Sequence, residues 1–382
     1  MRRKALPFVF ILVSVAALAA PRRSGAQESE ESLRQIVESV ILPWHKQYQP
    51  PGTIVVVRRD GKTHFFPFGE ANRARGVPVT PESIFELASI TKVFTTTSLA
   101  IEVEEGRMRL DDPVAKYLRR LREGRSIRDV TLQQLATHTS SLPRVPIGRH
   151  RGPWNRKLVI DWLIGWEAQY PLGTKDVYSN LALGVLGYAI AEHEQEPLEK
   201  VWKRQFLEPL GMNHTYFEIP ERDRHLVVQG YGPNGKPVPH DPPGGWPAGG
   251  RLSSSGRDMA EFLVANLGER DEDRPKITRA MQFAQQPYFK VSEHMTQGLC
   301  WQRVPLQGHL VIDKNGGLDG TSTYIGMIPT RRLGVVVMAN KGKCQGTSVG
   351  RRLLLKLVGV ENEEPLPPAD ENSAEDEFEP AS

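Results

Sequence analysis

The amino-acid sequence predicts an α+β fold: one antiparallel sheet built from both chain ends, flanked by helices, with a mostly helical region inserted. Three observations carry that expectation. Strand-like segments gather near the two ends of the chain, and helical periodicity dominates the middle. The last two strand-like segments are joined by only Pro329-Thr330-Arg331-Arg332, a connection that suits antiparallel neighbours and not a parallel crossover.

Taken in order, residues 30–49 place Leu33, Ile36, Val37, Val40, Ile41 and Trp44 at helical spacing. Thr53–Arg58 and Thr63–Phe68 follow as a strand pair across Arg59-Asp60-Gly61-Lys62, whose Asp-Gly is a hairpin signal. Ser89 opens a helix that runs to about Glu104. From there to about residue 230 the apolar patterns are mostly helical, and Lys236–Gly250 is the densest run of Pro and Gly in the chain. His309–Asp313, Tyr324–Ile328 and Leu333–Ala339 read as three further strands, and Arg351–Val358 as a closing helix. The expected organisation is a sheet region over 27–88 and 251–360, with the helical region at 89–250 between its two parts. No internal repeat is present.

The two ends read differently from the body. Arg2, Arg3 and Lys4 precede an apolar Ala5–Ala20, with small residues at Ala17-Leu18-Ala19 and Ser24-Gly25-Ala26. This is the layout of a secretory signal peptide over residues 1–26, and the apolar stretch is short for a membrane span. Residues 361–382 carry nine acids and no base, so a disordered acidic tail is expected. Without the first 26 residues the chain has 44 basic and 45 acidic side chains. The positive charge of the body is scattered, which argues against a nucleic-acid partner.

Cys300 and Cys344 are the only cysteines. Export permits a bond between them, but sequence cannot show that their Cβ atoms meet. Metal-ligand spacing such as HExxH or CxxC is absent, so neither a metal nor a cofactor is expected.

The chemistry concentrates at Ser89-Ile90-Thr91-Lys92, an S-x-x-K. A separation of three on a helix sets Ser89 and Lys92 on one face, near the positive field of the helix N-terminus. A lysine with an ordinary pKa of about 10.4 is neutral in only about one molecule in 2,500 at pH 7. A lysine that serves as base therefore needs burial and a second cation nearby. Tyr178-Ser179-Asn180 and Lys314-Asn315-Gly316-Gly317 could supply the partners. Gly346-Thr347-Ser348-Val349-Gly350 fits the G-x-S-x-G nucleophile elbow, yet no histidine follows it, and seven residues separate the strand end at Asn340 from Ser348, too many for a sharp strand-to-helix turn.

In order and spacing, S-x-x-K, Tyr178-Ser179-Asn180 and Lys314-Asn315-Gly316 resemble the three active-site elements of class C (AmpC-type) beta-lactamases and related penicillin-binding proteins. Phe85–Ala88, Leu110–Val114, Thr131–Ser140, Leu210–Thr215 and Gln297–Trp301 are similar to the same family, so the likeness spans about residues 30–358. The resemblance implies a serine hydrolase working through an acyl-enzyme. Ser89 would be the nucleophile, with Lys92 and Tyr178 sharing the proton transfers. Lys314 would tune them and steer a substrate carboxylate, and Asn180 would hold the substrate's amide. The N–H groups of Ser89 and Gly317 would form the oxyanion hole. His138 and His214 fall in segments that resemble scaffold, and Glu208 in a segment that reads as a helix end.

Three departures bear on substrate. Asn315 replaces the family's threonine, bringing an amide that can still donate to a carboxylate. After Thr139, Ser140-Ser141-Leu142-Pro143-Arg144-Val145 lacks the family's second amide-binding glutamine. The stretch from Trp301 to Lys314 is also shorter than in AmpC-type enzymes. The resemblance makes a beta-lactam the expected substrate, these departures motivate a cell-wall peptide or an ester as alternatives, and a non-catalytic penicillin-binding sensor is the reading of another class. A monomer acting in the periplasm or secreted completes the expectation.

Overall fold

A computed structural model describes residues 30–148, 153–240 and 244–361 of the chain. The signal-peptide assignment and all of the acidic tail after Glu361 lie outside the described residues. α1 (Glu30–Tyr48) leads into the hairpin of β1 (Gly52–Arg59) and β2 (Lys62–Asn72). Asp60 and Gly61 both take positive φ at its tip, 51° and 72°, as a two-residue hairpin turn requires. β3 (Val77–Pro78) and β4 (Ile84–Glu86) follow, and a 3-10 turn at Ala88–Ile90 opens into α2 (Thr91–Glu104).

The inserted region holds α3 (Leu132–Ala136), α4 (Arg156–Gly165), α5 (Asn180–Glu194) and α6 (Leu198–Trp202). The short strands β5 (Thr215–Tyr216), β6 (Gly230–Tyr231) and β7 (Pro237–Val238) come next. β8 (Ser253–Ser255) then precedes α7 (Gly256–Asn266) and α8 (Pro275–Ala284). The chain closes with β9 (Phe289–Lys290), β10 (Thr296–Gln297), β11 (Gln302–Leu306), β12 (His309–Leu318), β13 (Thr321–Ile328), β14 (Leu333–Ala339) and α9 (Gly346–Leu357).

Among the described residues the main sheet has nine strands in the order β3-β2-β1-β14-β13-β12-β11-β10-β9. The two chain ends meet in its centre, where β1 pairs antiparallel with β14 from Thr53↔Ala339 to Arg58↔Gly334. Both faces of these strands are buried, which explains their unbroken apolar runs. Ile54 and Val56 join the core beneath the helical region, with Phe94, Phe262, Val336 and Met338. Val55 and Val57 alternate into a second core with Leu33, Trp44, Val335, Val337 and Leu353, covered by α1 and α9. The α+β expectation, with a sheet drawn from both termini, matches this architecture.

Two local expectations change. β12 does not stop at Asp313 but continues through Lys314-Asn315-Gly316-Gly317 to Leu318, paired with β13 from Lys314↔Ile325 to Leu318↔Thr321. Asn and Gly are poor strand formers, so the local pattern hides an extension that the partner strand imposes. α9 also begins about a turn and a half before Arg351, because Thr347, Val349 and Gly350 are buried against the sheet.

Candidate active site

The turn that carries Ser89 is built at the end of β4. Leu87 N–H donates to the Leu252 carbonyl at 2.8 Å, and Ala88 takes φ 49°, in the left-handed region. That conformation costs an L-residue about 1–2 kcal/mol. Thr91 Oγ1 offsets it by donating to the Ala88 carbonyl at 2.7 Å while accepting the Leu252 N–H at 3.0 Å. Ser89 is left partly accessible at the head of α2.

One helical turn along, Lys92 is fully buried. Its Nζ lies 3.1 Å from Ser89 Oγ and 2.7 Å from Asn180 Oδ1, and it also donates to the Gly249 carbonyl. The three protons of the ammonium thus have three acceptors. Burial pulls the Lys92 pKa down, with the Lys314 cation acting in the same direction.

Tyr178 and Asn180 arrive on the entry to α5. Ser179 caps that helix, its Oγ accepting the Ala182 N–H at 2.9 Å and donating to the Pro143 carbonyl at 2.7 Å. The Asn180 and Leu181 N–H groups, orphans of the first turn, donate to the Arg144 carbonyl at 3.0 and 3.1 Å. Tyr178, held just before the cap, donates from Oη to Ser89 Oγ at 2.6 Å. Lys92 Nζ sits 4.7 Å from the centre of its ring and Lys314 Nζ 5.0 Å. Burial alone raises a phenol's pKa. Here the Lys92 and Lys314 cations outweigh it and bring Tyr178 down to about 8.

The third element is a strand. Lys314 is 2% exposed, and alternation puts Gly316 on the same face. A Cβ at Gly316 would fall 2.4 Å from the Leu87 carbonyl oxygen and 2.9 Å from the Ser89 nitrogen. Only glycine lets the strand pass so close to the turn at Leu87–Ser89. β11 pairs with β12 no farther than Gln302↔Asp313, so it leaves the other edge of Lys314–Leu318 open beside Ser89, with Gly317 on it. Asn315 stands opposite Tyr324, which belongs to the core under α9. The pleat therefore directs its Cβ away from Lys314 and Gly316, and its backbone borders the cleft.

The structure thus brings Ser89, Lys92, Tyr178, Asn180, Lys314 and Gly316 together. Sequence reasoning discounted His138 and passed over Arg144, and both are here. His138 is buried with its ring 4.7 Å from that of Tyr178, and its Nδ1 accepts the Ser179 N–H at 3.2 Å. Burial and the two lysines hold its pKa well below that of a free histidine, so it braces the phenol as a neutral ring. The Arg144 guanidinium carbon lies 5.6 Å from the Tyr178 ring centre. Neither residue belongs to the three short motifs, and only the packing of their loops under α5 reveals them.

Other candidates fall outside. Ser348 lies on α9, across the sheet from Ser89. His214 donates its backbone N–H to Asp258 at 2.6 Å, and Glu208 sits at a helix end. Glu102, His193 and Glu194 approach one another closely enough to suggest a metal site. Arg107 occupies both Glu102 oxygens, at 2.7 and 2.8 Å, and α2 carries this group about 20 Å from Ser89. Cys300 and Cys344 are both free. Cys300 belongs to the core under the helices and Cys344 to the core under α1 and α9, so the sheet separates them.

The family model described as Beta-lactamase matches residues 30–358. A beta-lactamase of Pseudomonas fluorescens is 28% identical over 340 residues, covering 81% of this chain and 94% of its own. Among solved structures, a D-alanine carboxypeptidase AmpC from Burkholderia cenocepacia aligns with a TM-score of 0.78 at 28% identity. It covers 86% of this chain and 100% of the other. A class C beta lactamase from Rhodobacter sphaeroides aligns with a TM-score of 0.78 at 25% identity, covering 85% and 100%.

Proposed function

Because the chain belongs to the beta-lactamase family, we propose that it hydrolyses beta-lactam amides by way of an acyl-enzyme on Ser89. One observation carries the reading: Tyr178 Oη and Lys92 Nζ both reach Ser89 Oγ, at 2.6 and 3.1 Å. With Tyr178 as phenolate, or Lys92 as free amine, the Ser89 proton has an acceptor as Oγ attacks the carbonyl. The charge that develops on the carbonyl oxygen is met by the N–H groups of Ser89 and Gly317, where one lost donor typically costs about 10²–10³ in rate. The same pair returns the proton to the departing nitrogen and then draws one from the deacylating water. Asn180 Oδ1 is committed to Lys92, which leaves its Nδ2 to donate to the substrate's acyl-side amide. Lys314 faces the substrate carboxylate, and the edge of Asn315–Gly317 lies along the substrate.

A second reading has a specific motive. The segment Ser140–Val145 lacks the second amide-binding glutamine of the resembled family, and similar solved structures include D-alanine carboxypeptidases, so the natural substrate could instead be a D-alanyl-D-alanine peptide or an ester, handled by the same serine. Steady-state turnover of a chromogenic cephalosporin, a D-Ala-D-Ala peptide and short acyl esters separates them, with Ser89→Ala as control. Cephalosporin turnover that vanishes in Ser89→Ala is the expected result. Fast ester or peptide cleavage without cephalosporin turnover rejects the lactamase, and a permanent Ser89 adduct by mass spectrometry favours a sensor.

Arg2-Arg3-Lys4 ahead of the apolar Ala5–Ala20 supports export to the periplasm or beyond, where such hydrolysis would confer antibiotic resistance. A monomer suffices, since one chain supplies Ser89, Lys92, Tyr178, Asn180 and Lys314. No described helix is long and apolar enough to cross a membrane.

A further inference from the structure

We propose that Arg144 determines specificity, selecting substrates that carry a carboxylate on the acyl side of the scissile bond. This rests on the proposed acyl-enzyme chemistry and adds a substrate class to it.

Position comes first. The Arg144 carbonyl accepts both the Asn180 and the Leu181 N–H, and its neighbour Pro143 accepts from Ser179 Oγ. The backbone at residues 143–144 is therefore tied to the residue that is to hold the acyl-side amide, and the Arg144 side chain starts from that end of the cleft. Its guanidinium carbon is 5.6 Å from the Tyr178 ring centre, on the phenol that faces Ser89. The residue is half-buried, between buried Leu142 and exposed Val145, and the Tyr178 ring is what fixes the position of its head.

Charge comes second. Three cations surround one phenol: Lys92 at 4.7 Å, Lys314 at 5.0 Å and Arg144 at 5.6 Å. Lys92 is committed to Ser89, Asn180 and Gly249. Lys314 is buried on β12, at the end of the cleft assigned to the substrate's other carboxylate. An anion entering on the Asn180 side meets Arg144, whose planar fork of donors matches a carboxylate in two parallel hydrogen bonds. A neutral acyl group of the same shape forgoes them.

The test uses a matched pair of substrates on one penicillin nucleus, with an acyl side chain bearing either a carboxylate or the corresponding carboxamide. A second pair carries the same two acyl groups on a phenyl ester. kcat/KM is measured for wild type, Arg144→Ala and Arg144→Lys, with Ser89→Ala as control. In wild type the carboxylate is favoured, and in Arg144→Ala that preference falls about tenfold, the value of a charge-assisted contact. Arg144→Lys retains part of it, and also serves if the alanine variant does not fold. A preference unchanged in Arg144→Ala, or both partners slowed alike, overturns the proposal and leaves the acyl-enzyme reading standing. Turnover that persists in Ser89→Ala overturns both.

Discussion

At Tyr178 three opposing influences decide whether the phenol can work as a base. Burial favours the neutral form, and the Lys92 and Lys314 cations favour the anion more strongly, leaving the pKa at about 8. Lys92 feels burial and the Lys314 cation in one direction, both favouring the free amine. The two groups lie in contact, so their protons leave as a coupled pair and not as separate sites. Lys314→Ala removes a cation from both. The phenol loses a partner for its anion and the amine loses a repelling charge, so whichever group is the base, its pKa rises. The active, deprotonated form then appears only at higher pH. The acid limb of the kcat/KM profile should move up by about one pH unit or more, with about tenfold lower kcat/KM at neutral pH. A limb that stays in place or moves down would show that Lys314 only binds substrate.

At the scale of a strand, β12 delivers Lys314 and Gly316 because its neighbours hold it in register. Asp313, the residue before the lysine, points to the opposite face. There it meets Arg351 of α9 through bonds of 2.6 and 3.1 Å, with the two side chains 1% and 2% exposed. Tyr324 donates to the same carboxylate at 2.9 Å, and Arg351 reaches Gln302 of β11 at 3.2 Å. This pair connects three neighbouring strands to the closing helix directly behind the lysine. Arg351→Met leaves a buried carboxylate without its counter-charge and should lower unfolding free energy by about 3–5 kcal/mol. Changing both partners, Asp313→Leu with Arg351→Met, should recover most of the loss. Denaturant midpoints of the two variants check this. A single variant within about 1 kcal/mol of wild type would mean that solvent reaches the pair.

Across the whole molecule, a sheet buried on both faces separates two cores, and each holds one cysteine. Cys300 Sγ donates to the Ala136 carbonyl at 3.3 Å, and burial pushes the thiol up to about 12. Cys344 is buried beside Trp44, whose indole donates to its carbonyl at 2.6 Å. No bond can pass through the sheet between them. An excess of dithiothreitol should therefore leave the melting temperature unchanged, and thiol-reactive reagents should label the protein only after it is denatured. A melting temperature that falls on reduction would show that the two sulfurs pair.

Much of this was legible in the residues. The unbroken run Ile54–Val57 and the apolar Leu333–Ala339 mark strands buried on both faces, and the spacing of Ser89 from Lys92 already sets those two side chains together on one helix face. Periodicity and i,i+3 neighbours are local, so one sequence suffices to read them. The approach of Lys314 to Tyr178, the role of Asn180 in holding Lys92, and the presence of His138 and Arg144 were decided only when α5, the loop before it and β12 packed around Ser89. Those contacts join residues some 35 to 225 positions apart. The extension of β12 through Asn315, Gly316 and Gly317 likewise belongs to its pairing with β13. Local preference runs against it, and a tertiary partner overrides local preference.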